Sequence, residues 1–406
     1  MKKNFTWERG PFSQCPSCKL ETFGFLAGGG NAMTMRCTVC RYSHSEVLPK
    51  LNKKLIYLDQ FAFCALFQIE SKGRPLGKHQ AFWADAHARL RRIVLLQQAV
   101  LPHSDVHHSE TVVSPFATAL RECYEHLGGD ARLEDTGAVQ QAQVLEYAHA
   151  YLEGREPTIT LDADNVIKRD RNRWLDDIRI SVNVDYSSFA DGHWADVERT
   201  SAAIDLLIAN WVEEKPSFEE VLEREQAAFG SSRRAALVDC ARRVENAIAA
   251  GDIMAALNAS QHWVSIEFEM LRHVFRNAGV AEKDLTERII EFWEWPRNRE
   301  QPSAHIFSYL FAALARKVVS GQRKVTSGFM NDVRAISTYA PFVDAMFLDN
   351  ECASLLSEAP LRDELKYRAC IFSLNTQDEF LAYLAEIEAA TPGEVLDYAA
   401  RIYGIN

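Results

Sequence analysis

An acidic residue closes the apolar run Leu55-Ile56-Tyr57-Leu58-Asp59, and the same arrangement recurs in Ala345-Met346-Phe347-Leu348-Asp349. Two further acids occupy comparable places. Glu110 follows the run 99–104, which changes from apolar to polar, and Asp332 is the first residue of a helix-like segment. In a parallel α/β sheet, the carboxyl ends of the strands and the starts of the following helices meet at one edge, where ligands bind. We therefore expect these four acids to lie together at that edge.

Four carboxylates at one edge would repel one another unless cations neutralised them. Hard oxygen ligands of this kind select Mg²⁺ or Mn²⁺, and such sites commonly serve phosphoryl chemistry. Each acid taken alone has an ordinary structural explanation, because acidic residues often end strands or cap helices. The ordered set instead predicts a divalent-metal site formed by Asp59, Glu110, Asp332 and Asp349.

The order of these segments resembles that of the PIN domain family of metal-dependent nucleases. The matching pieces are Leu55–Asp59, Ser104–Glu110, Asp332–Ile336, Phe347–Asn350, Ala369–Ser373 and Asp378–Leu384. The resemblance implies an α/β fold with a PIN-like parallel sheet flanked by helices. It also implies that the four acids bind the metal, with Asp344 as an alternative to the last of them. The expected activity is hydrolysis of phosphodiester bonds, with RNA as the substrate.

One departure from compact PIN domains is a long insertion, because Glu110 and Asp332 are 222 residues apart (332 − 110). Long insertions are tolerated because the entropy of loop closure grows only with the logarithm of length. We expect a catalytic domain formed by 51–125 and 325–406, with a mainly helical insertion at 126–324. Within the insertion, alternating apolar residues predict a strand at 178–186, whereas the pattern from about 194 to 320 is almost wholly helical.

The N-terminal cysteines form a second pattern, with Cys15 and Cys18 in one CxxC pair and Cys37 and Cys40 in another. Two such pairs at this separation predict a tetrahedral, closed and therefore structural zinc site. The glycines at 28–30 indicate a hairpin tip, so residues 1–46 are expected to form a zinc ribbon. A pair of disulfides is the alternative, but nothing else indicates an oxidising compartment. The ribbon's partner is open between nucleic acid, another protein and the catalytic domain.

Length and composition are those of an ordinary globular protein of two or three domains, with 406 residues, 47% of them hydrophobic and 25% charged. No apolar run is long enough to span a bilayer and no signal peptide is evident, so we expect a cytoplasmic protein without membrane contact.

The formal net charge of −11 opposes broad nucleic-acid binding unless charge is segregated on the surface. The candidates for a phosphate-binding lane beside the third acid are Arg316, Lys317, Arg323 and Lys324. The run from Lys168 to Trp174 also places four cations beside an aromatic residue, for which a solvated surface is the ordinary explanation. Three histidines, His103, His107 and His108, lie near the second acid. They could ligate a transition metal, but a polar rim or a hydrogen bond to an acid is more usual.

The favoured function is that of a metal-dependent nuclease, in which Asp59 is the central bridging ligand and no side-chain nucleophile is needed. The alternative is a catalytically inactive PIN-like protein that recognises nucleic acid or a protein partner. A toxin-like or defence nuclease held silent by an inhibitory or targeting protein is a third interpretation. The sequence leaves the oligomeric state open.

Overall fold

The computed structural model describes residues 12–29, 31–71, 73, 75–112, 114, 116–129, 131–174, 187–321 and 327–403. Within these ranges the strands form two sheets, an antiparallel one near the N-terminus and a parallel one in the body of the chain. The predicted strand at 178–186 lies outside the described residues.

The N-terminal sheet is antiparallel in chain order. Its strands are β1 (Phe12–Gln14), β2 (Glu21–Gly29), β3 (Ala32–Cys37) and β4 (Ser43–Val47). The β2–β3 hairpin turns after Gly29, where the glycine run predicts it. Met33 and Leu48 are buried together with Trp174 and Tyr398. The sheet therefore packs on the body of the protein, which is one of the partners that the sequence left open.

The body of the protein alternates strands and helices on either side of a long helical segment. It begins with β5 (Lys54–Leu58), α1 (Gln60–Ser71), α2 (Gln80–Leu95), β6 (Ala99–Val100), α3 (Asp105–Val112) and α4 (Ala117–Gly128). The helical segment contains α5 (Thr136–Glu153), α6 (Ser187–Glu214), α7 (Phe218–Ala249), α8 (Ile253–Ser260), α9 (Trp263–Asn277), α10 (Leu285–Trp293) and α11 (Pro302–Val319). The chain returns through α12 (Ser327–Tyr339), β7 (Ala345–Phe347), α13 (Asn350–Ser357), α14 (Leu361–Glu364), β8 (Cys370–Phe372), α15 (Gln377–Ala389) and α16 (Gly393–Tyr403). None of the described helices combines the length and apolar character needed to cross a lipid bilayer.

The parallel sheet has the strand order β6-β5-β7-β8. β5 is the first strand of this sheet in the chain, and later strands lie on both sides of it. The β5–β7 pair is therefore a topological switch point, where doubly wound sheets bind ligands. Leu55 and Tyr57 face a core shared with α11 and α12, whereas Ile56 and Leu58 face a core shared with α1, α2 and α15. Burial on both faces explains why β5 is apolar at every position from Leu55 to Leu58 instead of alternating.

The helical segment has a core of its own and also covers the sheet. Phe275 and Trp293 are fully buried between α5, α7, α9 and α10, so they pack the interior, as expected for such aromatic residues. Trp211 of α6 joins the core on one face of the parallel sheet. Ser217 and Glu220 cap α7 reciprocally in a capping box.

Candidate active-site cleft and metal centres

A cleft of about 780 Å³ opens at the carboxyl edge of the parallel sheet. All four predicted acids line it, and each comes from a different element. Asp59 follows β5, Glu110 lies in α3, Asp332 lies in α12 and Asp349 follows β7. The structure thus brings together the acids that the sequence singled out, while their role as metal ligands stays a prediction.

Asp59 and Asp349 are fixed by the strands that precede them and the helices that follow. The backbone N–H of Asp59 donates to the carbonyl of Phe347 at 3.0 Å, which extends the β5–β7 pairing up to the acid. The N–H of Gln60 donates to Asp59 Oδ1 at 2.7 Å. Asp349 caps α13, because its Oδ1 accepts the N–H of Cys352 at 2.6 Å. Backbone donors therefore hold both carboxylates in place beside the cleft.

The helices that carry Glu110 and Asp332 are linked by the side-chain amide of Asn331, the residue before Asp332. The Nδ2 of Asn331 donates to Glu110 Oε1 at 3.0 Å, which ties α12 to α3. The expectation that Asp332 opens a helix is wrong, because α12 begins at Ser327. Phe329 and Val333 are both buried and four residues apart, so the apolar stripe of the helix extends further back than predicted.

The cleft concentrates negative charge. Burial raises the pKa of Asp59 to about 7, and the carboxylates of Glu110 and Asp349 add to the shift, while the N–H of Gln60 partly offsets it. Burial also raises the pKa of Glu110, against the hydrogen bond from Asn331. No lysine or arginine lines the cleft among the residues described. Several hard oxygen donors gathered in one cleft fit a divalent cation.

His107 supports the end of β5 instead of joining the acids. Its buried Nε2 donates to the carbonyl of Leu58 at 2.8 Å, and its Nδ1 accepts the N–H of Ser104 at 3.0 Å. Burial lowers the pKa of His107 to about 4, so the ring is neutral at pH 7. The hydrogen-bonding role expected for this histidine is present, but its partners are backbone groups and Ser104 instead of an acid.

Asp105 is a positioning residue that the sequence pattern did not indicate. Its carboxylate accepts hydrogen bonds from Tyr339 Oη at 3.0 Å and from Thr136 Oγ1 at 2.7 Å, and it pairs with Arg334 at 3.2 Å. These bonds join α3, α5 and α12, two of which carry the second and third acids. A short-range pattern holds no signal for a contact between residues 229 positions apart.

Two further residues of α13 lie beside the acids and were also missed. Glu351 lines the same cleft. The ligand atoms of Asp332, Asp349 and Cys352 lie within 4.8 Å of one another. Glu351 and Cys352 come two and three residues after Asp349, in the first turn of α13, so the start of this helix places them near the acids.

Asp344 does not replace Asp349, because it precedes β7 and lies at the opposite edge of the sheet. Its carboxylate accepts the N–H of Leu55 at 2.9 Å and pairs with Arg368 at 2.8 Å and with Lys54 at 3.2 Å. Burial raises the pKa of Asp344, but the bond from Leu55 and these charges outweigh burial and lower the pKa overall. The role of Asp344 is therefore to join β5 to β7.

The predicted phosphate-binding lane is not supported by its described members. Arg316 and Lys317 end α11, and both pair with Glu358, at 3.5 Å and 2.8 Å respectively. Neither lines the cleft. Arg323 and Lys324 lie outside the described residues. The charge of the first two cations is thus engaged by an acid that the local sequence does not reveal.

The four N-terminal cysteines converge, with their sulfur atoms within 4.8 Å of one another. Cys15 Sγ lies 3.5 Å from Cys40 Sγ, and Cys18 Sγ lies 3.6 Å from Cys37 Sγ. Burial raises the pKa of the Cys37 thiol, but hydrogen bonds from Thr22 and from two backbone N–H groups outweigh it and lower the pKa to about 6. A thiolate in a four-sulfur cluster fits zinc.

The chain matches no protein-family model, and neither a curated protein nor a solved structure is detectably similar to it. Its function is therefore inferred from the two clusters just described, the acidic cleft and the cysteines. Both are defined by convergent side chains from segments that are separate in the sequence.

Replacing Asp59 with Asn should stabilise the protein at pH 8 without added divalent ions. The folded-state pKa of about 7 exceeds the usual 3.8. Ionisation of Asp59 therefore destabilises the folded protein increasingly as the pH rises between these two values, and the destabilisation reaches its full size above pH 7. We expect the free energy of unfolding to rise by about 1–4 kcal/mol at pH 8 and by much less at pH 4. Urea denaturation of both proteins measures this, with the exposed Asp363→Asn as control. An equal gain in the free energy of unfolding at both pH values would contradict the idea that the ionised Asp59 carboxylate destabilises the folded protein.

Replacing Asp344 with Asn should destabilise the protein at pH 7, because several cations then lose their shared buried carboxylate. We expect a loss of about 2–3 kcal/mol in the free energy of unfolding, measured by urea denaturation. Lys54→Met is the matched comparison and should cost less, since the Lys54 side chain is 45% exposed. Unchanged stability in the Asp344 variant would refute its structural role.

Proposed function

We propose that this protein is a metal-dependent nuclease with a PIN-like catalytic domain and that RNA is its substrate. The observation that carries the proposal is the convergence of Asp59, Glu110, Asp332 and Asp349 on one cleft at a topological switch point. Acids that merely end strands or cap helices would not need to meet across the insertion. The preference for RNA comes from the family resemblance.

In this proposal the four acids hold Mg²⁺ or Mn²⁺, whose chemistry is to activate a water molecule and to stabilise charge on the leaving oxygen. Asp59 is the central ligand, because the charges of both Glu110 and Asp349 act on it. The other wall of the cleft is apolar at Phe61 and Leu76. That wall suits the base or sugar next to the phosphate that is cleaved.

The proposed organisation keeps residues 51–125 and 325–406 as the catalytic domain and 126–324 as the insertion. Residues 1–46 form a zinc ribbon, with zinc bound by Cys15, Cys18, Cys37 and Cys40. The closeness of the four sulfur atoms supports zinc. A closed four-cysteine site leaves no open position for substrate, so its role is structural.

Asp59→Asn and Asp332→Asn should each reduce cleavage of labelled single-stranded RNA by about 100-fold or more, because each removes a ligand that stabilises charge in the transition state. The assay uses purified protein with Mg²⁺ or Mn²⁺, and single-stranded DNA is tested in parallel. Asp363→Asn, an exposed acid outside the cleft, should cleave at the normal rate. Wild-type protein should not cleave when divalent ions are left out.

Normal cleavage by either cleft variant would overturn the site. A folded, zinc-loaded wild type that cleaves neither RNA nor DNA would favour the catalytically inactive binding protein. In that case Asp59→Asn should leave binding of the partner unchanged.

The zinc proposal predicts about one bound zinc ion per chain after purification. Cys37→Ser should lose most of this zinc, because it removes one of four ligands. Cys64→Ser, which alters a cysteine outside the cluster, should retain it. Release of zinc into a colorimetric chelator measures all three, and equal zinc in the Cys37 variant would contradict the assignment.

A further inference from the structure

The N-terminal sheet carries its four clustered cysteines in two short turns, residues 15–20 and 37–42, which we call the knuckles. In each knuckle the N–H of the first residue donates to the carbonyl of the last residue, at 2.7 Å and 2.8 Å respectively. The sheet contacts the body of the protein near Met33, which is four residues before Cys37 along β3, a distance of roughly 13 Å. The knuckles therefore form the end of the sheet that lies away from this contact.

Each knuckle has a cation at a position where the backbone adopts a conformation that favours glycine. Lys19 has a φ of 62° and Arg41 has a φ of 60°, in the left-handed region that is costly for a residue with a side chain. Both side chains are exposed, and neither forms an ion pair within the described parts of the chain. Two charged residues are thus kept at a cost in stability that no salt bridge offsets, and strain of this kind is concentrated at functional sites.

An exposed apolar or aromatic side chain follows each of these cations. Leu20 directly follows Lys19 and is 50% exposed, and Tyr42 directly follows Arg41 and is 38% exposed. The two knuckles thus present the same combination to solvent, an unpaired cation next to a side chain that gains from being covered.

A third cation extends this surface onto the sheet. Arg36 of β3 lies opposite Gly24 of β2, and Phe12 of β1 lies opposite the same glycine from the other side. Arg36 and Phe12 are both exposed, and Arg36 has no ion pair among the residues that the structure describes. Side chains alternate between the two faces of a strand, so Arg36 is on the face opposite to Met33 and Met35, which pack toward the body. We call the following exposed residues the knuckle surface: Lys19, Leu20, Arg36, Arg41 and Tyr42.

Positive charge is concentrated in this part of an acidic chain. Residues 1–46 contain six lysines and arginines and three acids, a net charge of +3 (6 − 3), so the remaining residues carry −14 (−11 − 3). Four thiolates around one zinc ion would add about −2 at the cluster, and offsetting that charge is the ordinary explanation for Lys19 and Arg41. The segment stays positive with that charge included, and Arg401 engages one of its three acids, Glu46. Charge segregation of this kind lets an acidic protein attract a polyanion.

We infer that the knuckle surface binds single-stranded nucleic acid. Proteins bind single strands by combining cations that follow the phosphates with aromatic side chains on which bases stack. The three cations supply the first of these and Tyr42 supplies the second. An acidic peptide would satisfy the cations but has no base to place on the ring. The knuckle surface shares no residue with the acidic cleft, so the inference does not rest on the proposed nuclease.

Fluorescence anisotropy of a short labelled single-stranded RNA with the full zinc-loaded chain tests this. Divalent ions other than the bound zinc are left out, without a chelator, so that the RNA is not cleaved and the zinc is not removed. The double variant Lys19→Gly/Arg41→Gly should bind the RNA about tenfold more weakly. The slope of log affinity against log salt should also fall in magnitude by about 1.4, which is about 0.7 for each lost phosphate contact. Tyr42→Leu stays apolar but cannot stack, and should weaken binding about fivefold.

The control variants separate binding from folding and from general charge. Glycine suits the backbone at both positions, so the double variant should keep its zinc and unfold at the wild-type temperature or above. Lys19→Asn/Arg41→Asn is a second test, because asparagine also tolerates this backbone and removes both charges, and it should weaken binding equally. Arg242→Gln/Lys283→Gln removes two exposed cations of the helical segment that have no ion pair among the described residues. This remote variant should bind RNA like wild type.

The inference is overturned if wild type does not bind the RNA, or if the knuckle double variants or Tyr42→Leu bind it as tightly as wild type. It is also overturned if the remote variant weakens binding as much as the knuckle variants do. Polyglutamate that competes as well as unlabelled RNA of equal charge would identify an acidic protein as the partner instead. Weaker binding of the same RNA as a duplex supports the inference, because paired bases cannot stack on Tyr42.

Discussion

The parallel pairing of β5 with β7 is the constraint on which the rest of the structure depends. Its register, from Ile56 opposite Ala345 to Leu58 opposite Phe347, brings two strand-ending acids to the same edge. A slip by one residue would exchange the two buried faces of the strand, so the register is strongly specified. Asp344 fixes the other end of the pair by bonding a residue 289 positions away. The insertion is tolerated because closing such a loop costs little more than closing a short one.

This register brings acids close enough to repel one another, and the surrounding residues hold them in place. Asp59 is buried, and both its burial and the neighbouring acids raise its pKa. His107 is neutral because it is buried and donates to the backbone, so it orients the strand end without adding positive charge. Asp105 holds the helices together from outside the cleft. In the proposed function this negative charge would attract a cation, and its cost in stability is of a kind common at functional sites.

The sequence predicts features that depend on short-range patterns. The cysteine spacing locates the sulfur cluster, and apolar runs locate β5, β7 and β8. It fails where the answer depends on contacts between distant segments. Nothing local shows that Asp344 accepts a hydrogen bond from Leu55, and nothing local pairs Lys317 with Glu358. The start of α12 was misplaced because the buried side of Phe329 becomes evident only when the helix packs.

The acids at the carboxyl edge of the parallel sheet bear on how an acidic protein would meet a polyanion. Without a bound cation, the carboxyl edge repels phosphate, and the net charge of −11 adds to the repulsion at long range. In the proposed function, a divalent ion in the cleft would remove the local part of this barrier, so metal binding and substrate binding should be coupled. Salt would screen the long-range repulsion more than the buried contacts within the cleft.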